Sequence, residues 1–302
     1  MIRVGVDLGG TKIEAIALGP GGAALARRRV ATPASDYEAI LRAVADLVAA
    51  VEHEAGGRGS LGVGAPGAIS PRGNLVKNSN TVVLNGRPLA HDLALALNRV
   101  VRLENDANCF ALSEAVDGAG EGARVVFGVI LGTGVGGGIV IDGKILRGHN
   151  RIAGEWGHNP LPRLRENEYP GPLCYCGEKG CIETFLCGPA LARDFATRGG
   201  ARLTAEEIAR RADQGDARAK ETLAAYRDRL ARALASVVNV IDPDVIALGG
   251  GVSNVATLYE GLERQVERYA FTDALDTKIL RNVHGDSGGV RGAAWLWGAR
   301  EG

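Results

Sequence analysis

Three thiols lie within eight residues in Cys174-Tyr-Cys176-Gly-Glu-Lys-Gly-Cys181, and a histidine stands upstream in Gly154-Glu-Trp-Gly-His158. Glycines and charged residues between the sulfurs do not resemble a packed core. Three Cys and one His make a closed tetrahedral set for a structural Zn²⁺, with no position left for a reacting water. The competing reading is reduced cysteines that merely pack, and His149 is the alternative fourth ligand. Cys109 and Cys187 stand apart, and five cysteines cannot all pair in disulfides.

A second chemistry is carried by glycines at strand ends: Asp7-Leu-Gly9-Gly10-Thr11-Lys12, Gly132-Thr133-Gly134 through Gly138, and Gly249-Gly250-Gly251. Glycine bares backbone N–H groups, so such turns can surround phosphate oxygens, and Thr11 and Thr133 add hydroxyl donors. Asp7 would repel phosphate directly, yet a carboxylate beside a phosphate site is well placed to hold Mg²⁺. One glycine turn is common in any sheet; three in one chain are less easily dismissed. Neither the G-x-x-x-x-G-K-[ST] loop nor a Rossmann turn fits them.

Asp106 follows a strand and precedes a helix. A general base could meet a substrate hydroxyl there, and an ordinary helix N-cap also belongs there. Glu155 and Glu183 flank the Cys/His motif, so a folded metal knot would draw both to one place. Carboxylates with Asn in one pocket suit a polyol; solvated surface charge is the plainer reading of each.

These residues need strands and helices to place them. Ile2, Val4 and Val6 alternate before Gly9-Gly10, and Ile13–Leu18 resumes, predicting a hairpin. Ser35 with Glu38 fits a capping box ahead of Tyr37, Ile40, Leu41, Val44, Leu47, Val48 and Val51 at helical spacing. A strand over Leu61–Ala65 stops at Pro66-Gly67, a polar loop runs through Asn80, and a strand over Val100–Leu103 ends at Asn105-Asp106 before a helix over Ala107–Val116. Val125–Ile141 repeats the opening design, suggesting a duplicated α/β fold. Thr204 with Glu207 caps a further helix, Ala217–Val240 makes a long one ended before Pro243, and Val245–Leu248 is a buried strand.

The 302 residues carry 35 Lys+Arg against 35 Asp+Glu, a neutral balance with no electrostatic footprint for nucleic acid or an anionic membrane. The 44 glycines follow no three-residue period, which excludes collagen. Asp7 interrupts what would be a signal peptide's apolar stretch, so a cytoplasmic location is expected.

Asp7-Leu-Gly-Gly-Thr-Lys12, Leu103-Glu-Asn-Asp-Ala-Asn108, Leu131-Gly-Thr-Gly-Val-Gly-Gly-Gly138, Gly154-Glu-Trp-Gly-His158, Cys174-x-Cys176-Gly-x-x-Gly-Cys181-x-Glu183 and Asp242-Pro-Asp-x-x-x-x-Gly-Gly-Gly251 together resemble the ROK family of sugar kinases and repressors over essentially the whole chain. The resemblance implies an α/β, actin-like (ribonuclease-H-like) ATPase fold, with two domains about a nucleotide/sugar cleft and a zinc-binding insertion. Its domains would be 1–117 and 118–302, the latter holding the zinc motif at 158–181, with the last helix packing back on the N-terminal domain.

By position, the resemblance makes Asp106 the catalytic base and places Gly67, Asn80, Asn105, Glu155, His158 and Glu183 on the sugar. Asp7 becomes the Mg²⁺-associated carboxylate. Gly9, Gly10, Thr11, Lys12, Thr133 and Gly134 become the ATP phosphate loops, and Gly249, Gly250 and Gly251 part of the adenosine wall. His158, Cys174, Cys176 and Cys181 become the Zn²⁺ ligands, one ring nitrogen of His158 on the metal and the other facing sugar. The implied reaction moves the ATP γ-phosphoryl to the 6-hydroxyl of a hexose. Val76–Asn80, Leu84–Gly86 and Cys181–Phe185 look most like the fructokinase and mannokinase branch, with N-acetylglucosamine kinase or glucokinase as alternatives. The family's repressors carry a winged helix-turn-helix before the first glycine turn; here that turn begins at residue 7, which disfavours a regulator. A homodimer is the expected assembly.

Overall fold

The computed structural model describes residues Met1–Gly298. They divide into two compact units, one holding Met1–Gly122, Gly138–Ala153 and the segment from Asp286 onward, the other Ala123–Gly137 and Gly154–Gly285. This division differs from a single cut after residue 117, because the chain re-enters the first unit twice.

In the first unit, β1 (Arg3–Leu8) and β2 (Lys12–Leu18) form the opening hairpin and β3 (Ala24–Ala31) continues it. The helix α1 (Tyr37–Ala55) buries the apolar face read from its spacing. Its cap is Asp36, whose carboxylate accepts from the Ala39 N–H at 3.0 Å; Ser35 is not the cap, since Asp36 is the residue three before a free N–H. The parallel strand β4 (Ser60–Ala65) follows, then a two-strand ribbon of β5 (Ala68–Ile69) and β6 (Val76–Lys77) where the sequence suggested only loop. Next come α2 (Leu89–Leu97), β7 (Arg102–Asn105) and α3 (Asp106–Asp117). β7 begins two residues later than expected, and Val100 is exposed. The sheet order is β3-β2-β1-β4-β7.

The second sheet repeats this plan with β8 (Val125–Leu131), β9 (Val135–Ile141) and β10 (Lys144–Ile145). An irregular stretch then leads to α4 (Glu183–Leu186), α5 (Gly188–Thr197), α6 (Ala205–Asp213) and α7 (Ala217–Ile241). Thr204 and Glu207 form the capping box of α6 as read from the sequence. β11 (Val245–Gly249), α8 (Leu262–Tyr269) and β12 (Lys278–Arg281) complete the order β10-β9-β8-β11-β12. In both sheets a hairpin strand pairs in parallel with a later strand, β1 with β4 and β8 with β11. Among the described residues no helix is long and apolar enough to cross a membrane.

The final helix α9 (Gly288–Trp295) packs in the first unit against β1, β4 and α3 through its small residues. A Cβ on Gly292 would fall on the Cys109 carbonyl, and one on Gly62 on the Ala293 carbonyl. The backbones sit too close for any side chain, so overpacking must displace α9. Gly292→Ala should therefore lower stability by about 2–4 kcal/mol in urea unfolding. An unchanged midpoint would show that α9 is free to shift.

Candidate active site

The first unit holds Asp7, Asp106 and the glycine turn at 9–12. Asn105 ends β7 and is the N-cap of α3, its Oδ1 accepting from the N–H groups of Ala107 at 2.9 Å and Asn108 at 3.2 Å. The cap reading of Asp106 is thus corrected: Asn105 holds the helix start, and Asp106 is the first helical residue. The Asn105 Nδ2 donates to the Gly67 carbonyl at 2.8 Å and to Asp106 Oδ1 at 3.0 Å, and Ala107 N–H donates to the same oxygen at 2.9 Å. These bonds bring Gly67, Asn105 and Asp106 into one constellation and fix the carboxylate's plane. Gly67 has φ +88°, and a Cβ there would lie 2.5 Å from the Lys77 carbonyl, so no other residue fits. Asn80 is exposed; its neighbour Ser79 is buried and braced by the Asn85 side chain at 2.9 and 3.0 Å.

Asp7 lies opposite Glu14 in the β1–β2 register, just before the turn that Gly9 N–H closes on the Lys12 carbonyl at 2.9 Å. Desolvation, with the charges of Asp106 and Glu14 added, raises its pKa to about 7; Lys12 and Arg29 oppose this weakly. Thr11 is exposed at this turn, and Lys12 faces Asp286 at 4.0 Å. Among the described residues Asp7 has no hydrogen-bond or ion-pair partner, which suits a carboxylate that holds a hard cation.

The folded chain retains an Asp7 proton that the unfolded chain releases near pH 3.8, so this residue's contribution weakens stability as pH rises from about 4 to about 7. Asp7→Asn should flatten that decline by on the order of 2 kcal/mol in pH-dependent urea unfolding. Parallel profiles for the two proteins would contradict it.

Sequence reasoning missed Glu104. It is buried beside Asn105, accepts from Asn108 Nδ2 at 3.0 Å, and pairs with Arg147. A charged residue directly after Leu103 within the strand was the available signal; its partner, 43 residues away, gave none. Glu104, Asn105, Asn108, Arg147, Arg151 and His91 line a cavity of about 590 Å³ within this unit, of small-molecule size.

The second unit holds the glycine turns at 132–134 and 249–251, the carboxylates Glu155 and Glu183, and the Cys/His motif. Gly132 O accepts from the N–H of Gly188 at the start of α5 at 2.8 Å, fixing the turn that exposes Thr133. Glu183 Oε2 accepts from Val135 N–H at 2.9 Å, and a Cβ on Gly134 would meet that oxygen at 2.6 Å. Glu183 is thereby joined to the glycine turn, a contact the spacing did not reveal. Gly249 ends β11, and Gly250 (φ +83°) and Gly251 are exposed after it; a Cβ on Gly250 would lie 2.5 Å from the Leu131 carbonyl. Glu155 is exposed.

His158, Cys174, Cys176 and Cys181 place one donor atom each within 4.8 Å of one another. Gly177 and Gly180, at φ +96° and +76°, let the chain fold back on itself here. Burial pushes Cys174 up and Cys181 to about 12, while a backbone N–H at Glu178 brings Cys176 down to about 7. Such thiols become thiolates together only around a cation, and the donor set is that of a Zn²⁺ site. His158 Nδ1 faces the Cys174 sulfur at 3.6 Å, but its Nε2 meets the Tyr175 hydroxyl at 3.0 Å. The Nε2 that the resemblance turns toward sugar thus has the Tyr175 hydroxyl beside it.

The family model of the ROK family matches residues 3–300. The chain is 40% identical to N-acetyl-D-glucosamine kinase of Photobacterium profundum over 297 residues, covering 97% of this chain and 98% of the relative. The ROK hexokinase of Thermus thermophilus superposes with a TM-score of 0.85 at 34% identity, over 97% of each chain. A ROK family glucokinase from Streptomyces griseus, solved with glucose and AMPPNP, superposes with a TM-score of 0.80 at 30% identity over 98% of this chain and 99% of that one. The curated relatives lie with the N-acetylglucosamine alternative and not with the fructokinase and mannokinase expectation. With the matched region running through nearly the whole chain, the protein belongs to the ROK family.

Proposed function

We propose that the protein is an ATP-dependent kinase of N-acetylglucosamine, transferring the γ-phosphoryl to the 6-hydroxyl. The observation that carries this reading is the Asp106 carboxylate, held by Asn105 and the Ala107 N–H at the start of α3 beside Gly67. The curated relatives support N-acetylglucosamine over fructose.

Asp106 accepts the proton of the sugar hydroxyl as its oxygen attacks the γ-phosphorus, and ADP departs. Asn105, Gly67, Asn80, Glu155, His158 and Glu183 hold the sugar. Glu183 keeps Oε2 on Val135 N–H, so it also sets the turn that presents Thr133 and Gly134 to phosphate. Gly9, Gly10, Thr11 and Lys12 meet the remaining phosphate oxygens, and Gly249–Gly251 face adenosine. Asp7 would hold Mg²⁺, which neutralises charge on the transferring phosphoryl group. His158, Cys174, Cys176 and Cys181 would hold a structural Zn²⁺ that keeps the 158–181 segment in place, and the enzyme works as a homodimer.

Coupled ADP-release assays with N-acetylglucosamine, N-acetylmannosamine, glucose, mannose and fructose test the assignment. The highest kcat/KM is expected on N-acetylglucosamine. A fructose or mannose preference would return the substrate to the other branch, and no turnover on any sugar would remove the kinase reading.

A further inference from the structure

The second unit holds another cavity, of about 440 Å³, among the 165–168 turn, α7 and α8. None of the residues assigned above lines it. Five arginines do, Arg165, Arg198, Arg227, Arg229 and Arg268, against the two carboxylates Glu168 and Asp228. The lining is therefore positive even though Asp194 pairs with Arg229 and Glu221 with Arg198 from just outside it, and both lining carboxylates are already committed. Glu168 Oε1 takes Arg229 Nε and Arg232 Nη2, each at 2.8 Å, and its Oε2 takes the Arg165 N–H at 3.0 Å. Asp228 Oδ1 takes Arg165 Nη2 and the Tyr269 hydroxyl, each at 2.7 Å, and its Oδ2 takes Arg232 Nε at 3.1 Å.

The surplus rests on three side chains. Arg227 gives Nη1 to the Thr257 carbonyl at 2.8 Å, but its Nε is buried without a partner. The Arg198 Nε is likewise buried and without a hydrogen bond; the guanidinium's ion-pair partners, Glu221 and Asp194, stand 3.6 and 3.9 Å away. Arg268 is exposed at the mouth of the cavity and has no hydrogen-bond, ion-pair or ring partner among the described residues. Buried guanidinium N–H groups left unpaired are costly, and a dianion with several oxygens satisfies more than one of them. Gln265 Oε1 is also buried and unpartnered in this lining. An acceptor there repels a bare anion and takes a hydroxyl donor.

We propose that this cavity is a binding site for a phosphomonoester that carries hydroxyl groups, its phosphate on Arg227, Arg198 and Arg268 and a hydroxyl on Gln265. Occupancy would bear on the candidate active site, because Arg229 stacks 5.5 Å from the Phe185 ring in α4, the helix that begins at Glu183. The site does not depend on which sugar is phosphorylated.

Isothermal titration with glucose 6-phosphate, inorganic phosphate and chloride at matched ionic strength tests this on the parent, Arg268→Gln and Arg227→Gln proteins. Glucose 6-phosphate should bind the parent more tightly than inorganic phosphate does. Each substitution should weaken that binding about tenfold, the equivalent of one charge-assisted hydrogen bond. Arg268→Gln, which breaks no contact within the protein, should retain the parent's Tm and turnover. Binding no stronger than chloride, equal affinity in Arg268→Gln, or inorganic phosphate matching the sugar phosphate would each overturn the proposal. Equal affinity in the variant would place the ligand at the glycine turns instead.

Discussion

Asp106→Asn should lower kcat by roughly a thousandfold while leaving the KM for sugar within a few-fold of the parent value, the pattern for a group that acts only in the transition state. The substitution is isosteric, and the helix does not depend on it: Asn105, not Asp106, caps α3 through Ala107 and Asn108. The amide can still accept from Asn105 Nδ2 and Ala107 N–H, so the site keeps its shape and loses only its proton acceptor. Steady-state kinetics with both substrates varied read the split directly. Turnover within tenfold of the parent would show that the sugar hydroxyl loses its proton elsewhere.

Cys181→Ser should release the metal and lower Tm by roughly 10 °C, corresponding to a loss on the order of 4 kcal/mol. Cys181 is buried and its sulfur stands 3.6 Å from that of Cys176, so a serine there offers a harder, weaker ligand at the centre of the set. The segment it anchors is also tied by Leu161 N–H to the Gly180 carbonyl at 2.8 Å and by Ile182 N–H to the Asn159 carbonyl at 2.8 Å. Without the cation, loosening must reach Glu183 and, through Val135 N–H, the glycine turn. Zinc analysis should find about one ion per parent chain and little in the variant. A metal-free parent, or a variant with an unchanged Tm, would contradict a structural zinc.

What was legible in the sequence is what depends on near neighbours. The β1–β2 hairpin, the buried face of α1 and the Cys/His knot each follow from spacing within about twenty residues. Caps were harder to place, because adjacent polar residues compete for the same N–H groups: Ser35 against Asp36, and Asn105 against Asp106. Contacts between distant segments left no local period. Arg147 on Glu104, Glu183 on Val135 and α9 against β1 belong to this class. The branch expectation rested on short loop motifs, whereas the curated relatives, matched over nearly the whole chain, are N-acetyl-D-glucosamine kinases.

The most direct measurement is ³¹P NMR of the protein with ATP, Mg²⁺ and N-acetylglucosamine. A new phosphomonoester resonance on the sugar 6-oxygen, growing in step with ADP and absent without sugar, is the expected result. ADP with inorganic phosphate alone, or no change in ATP, would contradict phosphoryl transfer to this sugar.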